Sequence, residues 1–142
     1  MDNTRNIIII VDDDITNLTV ARHNLVGKYD VVTAPSGEKL FRILEKITPA
    51  LILLDIEMPE MNGYEILKIL KREEKTAHIP VIFLTATINP ESKIQCLSLG
   101  AADCIKKPFS RDLLVERVGL HIQLEKQKKE DSSMKSLEQH KV

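Results

Sequence analysis

Three unbroken apolar runs set the rhythm of the chain: Ile7 to Val11, Leu51 to Leu54 and Val81 to Leu84. Runs of this length without polar alternation are the pattern of strands buried on both faces of a parallel sheet. Val31 to Ala34 and Ala101 to Lys106 read as two further, less apolar strands. Between them the apolar positions change to helical spacing. Ile15, Leu18 and Leu25 recur up to Gly27, with Asp14 as N-cap and Gly27 as the residue past the helix end. Ser36 opens a second helix whose Leu40, Ile43, Leu44 and Ile47 share a face before Pro49. After the 51–55 strand, Pro59 cannot extend a ladder, and Asn62 with Glu65 three residues on marks the start of a third helix running to about Glu74. Asn89 and Pro90 start a fourth helix that stops at Gly100; with only Ile94, Cys96, Leu97 and Leu99 to anchor it, it is expected to be the most loosely held. Ser110 caps a last helix, with Phe109 placed to staple Leu114.

Five strands in strict alternation with five helices predict an α/β fold: a parallel sheet with helices on both faces. At 142 residues and 43% hydrophobic content, one domain with one substantial core is expected. Beyond about Leu120 the chain turns to Lys, Glu and Gln of both signs, which predicts an exposed helical extension or linker that frays.

Charge and cysteine usage narrow the function. Twenty basic and 21 acidic residues give a formal net charge of −1, which argues against direct nucleic-acid binding or attraction to an anionic membrane. Cys96 and Cys104 show neither CxxC spacing nor a histidine partner, so a zinc site is disfavoured, a reducing compartment fits, and both cysteines read as fillers of core or surface. No stretch approaches eighteen apolar residues and the start MDNTRN lacks the apolar core of a secretory signal, so the cytoplasm is the expected location.

The polar residues at the strand ends carry the chemistry. Asp12 and Asp13 end the first strand, Asp55 the third, Thr85 the fourth and Lys107 the fifth. Parallel strands all finish on one edge, so these side chains converge where open α/β sheets bind ligands. With strand order 2-1-3-4-5, the first and third strands would be neighbours at the point of reversal, where the acids accumulate. Clustered carboxylates repel one another unless a cation neutralises them, and few oxygen ligands suit hydrated Mg²⁺. An aspartate beside that ion can attack phosphorus, with Lys107 balancing charge and the Thr85 hydroxyl bonding a phosphoryl oxygen.

This constellation resembles the receiver domain of two-component response regulators, over residues 6 to about 121. Thr85 and Lys107 lie 30 and 52 residues beyond Asp55, the spacing that the family shows. The resemblance implies the flavodoxin-like (βα)5 fold with strand order 2-1-3-4-5, with residues 122–142 as an extension. It implies Asp55 as phosphoacceptor, and Mg²⁺ held by Asp13, Asp55 and the backbone carbonyl of Glu57, with Asp12 acting largely through water. It also implies Thr85, Ala86 and Lys107 as phosphoryl-binding and switch positions, with Thr85 the switch hydroxyl and Lys107 the family's lysine, and Pro108 and Cys104 as conformational positions. The implied donor is a sensor histidine kinase or a histidine phosphotransfer protein. The output is altered binding to a downstream protein target or output domain, and a homodimer is compatible with it. Such a domain is not a turnover enzyme; it promotes only its own Mg²⁺-dependent phosphorylation and dephosphorylation.

Two positions depart from the family pattern. Cys104 stands three before the lysine, where an aromatic residue is usual, so the usual rotamer switch is missing. Glu57 stands two after Asp55, a position that influences the life of the phosphoryl group. A phosphatase of the haloacid dehalogenase class would use a similar set, but needs a second Asp where Glu57 stands and an acidic pair late in the chain. A nucleotide or flavin carrier is weaker still, since the glycines build neither GxGxxG nor a Walker loop. A scaffold that keeps the fold without phosphorylation is disfavoured by five intact site positions.

Overall fold

A computed structural model of the chain describes residues 6–139, with side chains through residue 132. Every residue of Leu51–Asp55 (β3) and Val81–Thr85 (β4) is buried, as continuous apolar runs require. With Ile7–Val11 (β1), Asp30–Ala34 (β2) and Asp103–Lys106 (β5) they form one parallel sheet in the order β2-β1-β3-β4-β5. The order reverses between β1 and β3, whose register pairs Val11 with Leu54. Asp55 pairs with Leu84, and Thr85 with Lys106, so the polar strand ends lie level along one edge.

Alternation along each strand divides the core into two layers. Ile8 and Ile10 of β1 and Leu51 and Leu53 of β3 face Ile15–Leu25 (α1) and Arg111–Gln139 (α5), through Leu18, Ala21, Leu25, Leu114 and Val118. Ile9, Val11, Ile52, Leu54 and Phe83 face Gly37–Leu44 (α2), Gly63–Arg72 (α3) and Pro90–Ser98 (α4). Each fully buried Leu or Ile contributes about 1.5–3 kcal/mol relative to exposure. The predicted caps form: Asp14 accepts from Thr16 and Asn17 N–H, Ser36 from Lys39 N–H, and Asn62 with Glu65 makes a reciprocal capping box.

Several expectations need correction. Ile15 does not anchor α1: as the first helical residue after the Asp14 cap it is 77% exposed, and the buried residues of the helix are Leu18, Ala21 and Leu25. Helix α2 ends at Leu44, and Ile47 packs against the core from the turn that follows. Strand β5 begins at Asp103, and Lys107 lies one residue beyond it, tied back by its N–H to Thr85 O at 2.7 Å. Helix α4 is held more thinly than expected: Cys96 is its one buried residue, and Ile94 and Leu97 face solvent. Helix α5 runs unbroken to Gln139, with Ile122 still buried against the sheet. Residues 140–142, the last of the extension expected to fray, lie outside the described residues.

Candidate functional site at the carboxyl edge of the sheet

Two of the site's carboxylates reach it from strands that are buried on both faces. Asp55 is the last residue of β3 and 6% exposed; Asp12 follows β1 and is 2% exposed, with its N–H bonded to Ala34 O. Asp13 is exposed beside them. One carboxylate oxygen from each of the three lies within 4.8 Å of the others. Lys107 Nζ donates to Asp12 Oδ2 at 2.9 Å and to Asp55 Oδ1 at 3.1 Å, and Asp14 N–H donates to Asp12 Oδ1 at 3.0 Å.

The electrostatics follow from this packing. Burial pushes the Asp55 carboxyl above its usual range and the Asp12 charge pushes it further, against the opposing pull of Lys107. Burial pulls the Lys107 ammonium down, but its bonds to Asp12 and Asp55 outweigh this and leave it raised. Three carboxylates against one ammonium leave uncompensated negative charge in the pocket. The oxygen-only donor set and the exposure of Asp13, which leaves room for water ligands, fit a hydrated divalent cation such as Mg²⁺.

The remaining predicted residues are placed as follows. The Thr85 hydroxyl is buried and bonded to its own loop, donating to Thr87 O and accepting from Thr87 N–H, both at 3.2 Å. Ala86 lines a cleft of about 400 Å³ beside the carboxylates, together with Asp12, Asn17, Lys107, Pro108 and Phe109. The Lys107–Pro108 peptide is cis. Glu57 is exposed. Cys104 does not reach the carboxylates; it is buried on β5, with its Sγ 3.4 Å from that of Cys96 on α4. The cysteines are therefore neighbours, which their spacing did not signal.

Over residues 8–119 the chain matches the family described as response regulator receiver domain. The chain belongs to that family. Receiver domains of two-component response regulators accept a phosphoryl group, and they hold Mg²⁺ in an acidic pocket of the kind formed here. This receiver domain is 43% identical, over 85% of its length, to a protein of Vibrio cholerae serotype O1 described as a probable cyclic di-GMP phosphodiesterase, of which it covers 27%. It is 41% identical, over 78% of its length, to the response regulator SaeR of Staphylococcus aureus, covering 48% of that protein. It thus spans about half or less of the length of these curated relatives. Among solved structures it is similar to the chemotaxis protein CheY4 of Vibrio cholerae, with a TM-score of 0.77, 27% identity, and coverage of 82% of this chain and 98% of that one.

Sequence reasoning missed one buried polar cluster. Asp103, inside β5, bonds Arg117 Nη1 at 2.8 Å and lies 3.0 Å from His121 Nε2, tying the edge strand to α5. The signal was present: an acid within a strand pattern, facing Arg and His four apart on the next helix. Among the described residues no helix is long and apolar enough to cross a membrane.

Proposed function

We propose that Asp55 is the phosphoacceptor of this receiver domain, with a phosphohistidine of a kinase or phosphotransfer protein as donor, in the cytoplasm. The observation that carries this reading is the Asp55 carboxylate itself: buried at the end of β3, 3.1 Å from Lys107 and grouped with Asp12 and Asp13. An Asp55 oxygen attacks phosphorus as the bond from phosphorus to the donor's imidazole nitrogen breaks. Lys107 offsets charge on the phosphoryl oxygens and on Asp55. Asp13, Asp55 and the Glu57 carbonyl would hold Mg²⁺, with Asp12 acting largely through water; when bound, the ion would supply further positive charge at the phosphoryl oxygens. The Thr85 hydroxyl leaves Thr87 and donates to a phosphoryl oxygen, and this exchange of partners moves the loop containing Ala86 and, with it, α4. The output is a change in the affinity of an output domain or target protein for that face. The chain turns over no separate substrate, since Glu57 stands where a phosphatase of the haloacid dehalogenase class places its acid. The receiver unit comprises residues 6–121, and the part of α5 beyond it, as far as Gln139, extends from that unit.

Incubation with acetyl phosphate and Mg²⁺ tests the assignment. Intact mass should rise by one phosphoryl group, and peptide mapping should place it on Asp55. Labelling of Asp55→Asn at the wild-type rate would remove Asp55 from this role.

A further inference from the structure

Helix α4 is held to the sheet chiefly by one buried side chain, and that side chain is a thiol. Cys96 is fully buried, and its Sγ lies 3.4 Å from the Sγ of Cys104 on β5. These are the only cysteines in the chain, both free, and only eight residues apart. Two thiols held in contact between elements that pack directly need little movement to become bonded.

We propose that Cys96 and Cys104 form a reversible intramolecular disulfide that ties α4 to β5, set by exchange with a small-molecule disulfide. One cysteine thiolate attacks a sulfur of the small disulfide, forming a mixed disulfide and releasing one small thiol. The second thiolate attacks the protein sulfur of that mixed disulfide and releases the other small thiol. Two protein S–H bonds become one S–S bond, and the two protons and two electrons given up by the protein thiols end on the small disulfide, which is reduced to two thiols.

The packing makes this exchange conditional on the helix. With α4 seated, neither sulfur is open to a reagent, and burial pushes the Cys104 thiol up to about 12, so the reactive thiolate is scarce. Lifting α4 removes that burial. Ile94 and Leu97 face solvent, so little other apolar contact opposes the lift. The bond forms as the helix reseats, and it then fixes the element that phosphorylation has to move. This last consequence rests on the proposed phosphoacceptor role, whereas the disulfide itself does not.

The full chain is incubated with oxidised glutathione, quenched with iodoacetamide, and analysed by intact mass and non-reducing peptide mapping. The expected product carries no alkylated thiol and yields one cross-linked peptide pair joining Cys96 to Cys104, with both thiols restored by dithiothreitol. Three results would overturn the proposal: glutathione adducts as the end product, cross-links between two chains, or two alkylated thiols per chain under conditions where the urea-unfolded chain oxidises. Cys96→Ser, or Cys96→Ala should the serine variant not fold, should stop at a single adduct on Cys104. Oxidised protein should label at Asp55 at an unchanged rate while losing the amide shifts that phosphorylation causes over residues 86–100; persistence of those shifts would overturn the lock. No label on Asp55 in either redox state would defeat the phosphoacceptor reading, while the cross-link result would still judge the disulfide.

Discussion

Replacing Gly63 by alanine puts a methyl group where the chain leaves β3 and turns into α3. A Cβ there lies 2.5 Å from the Asp55 carbonyl oxygen, 2.8 Å from Ile56 Cα and 3.1 Å from Phe83 Cε1. Carbon contacts are optimal near about 3.5–4.0 Å, so the overlap is roughly 1 Å. It falls on backbone atoms that no rotamer change can move aside. Inserting extra methylenes into a packed core costs about 1–3 kcal/mol, and rigid neighbours place this site at the upper end. Alanine returns at most about 1 kcal/mol as the better helix former. The expected net loss is about 2 kcal/mol, which for a domain of this size lowers Tm by roughly 4–8 °C. The displaced Asp55 backbone also shifts its carboxylate away from Lys107, so labelling by acetyl phosphate should slow. The control is Gly27→Ala, where no atom lies within 4 Å of the new Cβ and the backbone is not left-handed. There alanine should be neutral or stabilise by about 0.4–1 kcal/mol through the unfolded chain. Thermal and urea melts of the two variants decide the matter: a Gly63→Ala melt at or above wild type would refute the steric reasoning.

Three further perturbations probe other parts of the molecule. Burial pushes the Asp103 carboxyl up, but bonds from Arg117, His121 and the Cys104 N–H outweigh it and hold it below the usual range. A depressed folded value means that this stabilisation is present above the unfolded carboxylate pKa and is lost as pH falls through the folded one. Asp103→Asn should therefore cost about 1–2 kcal/mol at neutral pH, the half-exposed Arg117 contributing little because solvent screens it. The gap to wild type should close in acid, and parallel stability curves would contradict the assignment. Mg²⁺ should raise stability by roughly 2.7 kcal/mol once the free ion reaches about 100 times its Kd, with Asp13→Asn moving the response to higher concentration; a melt indifferent to millimolar Mg²⁺ removes the metal from the site. Cys104→Tyr overfills the space against Cys96 and should cost about 1–3 kcal/mol and displace α4, leaving Asp55 labelling nearly unchanged. An unchanged amide spectrum over residues 90–98 would show that the space was there.

The strands and helix starts were legible in the linear chain because their causes are local. A strand covered on both faces has no place for a polar residue, so β1, β3 and β4 announce themselves as apolar runs whose first acid or hydroxyl marks the sheet edge. Asp14, Ser36, Asn62 and Asn89 mark helix starts because a cap bonds N–H groups two or three residues away. Parallel strands end together, so the meeting of Asp12, Asp55 and Lys107 followed from topology, although only the folded chain supplied the 2.9 and 3.1 Å bonds. What depends on contacts between elements was not legible. Periodicity says that Ile15 is apolar, not that α1 presents it to solvent; it marks Cys96 and Cys104 as small residues, not as touching sulfurs; and it could not show the Thr85 hydroxyl bonded to Thr87. Local patterns record which face a residue turns inward, but which residue it meets there depends on how far each helix is shifted and rotated over the sheet, and that is settled only when all the side chains of the core pack at once.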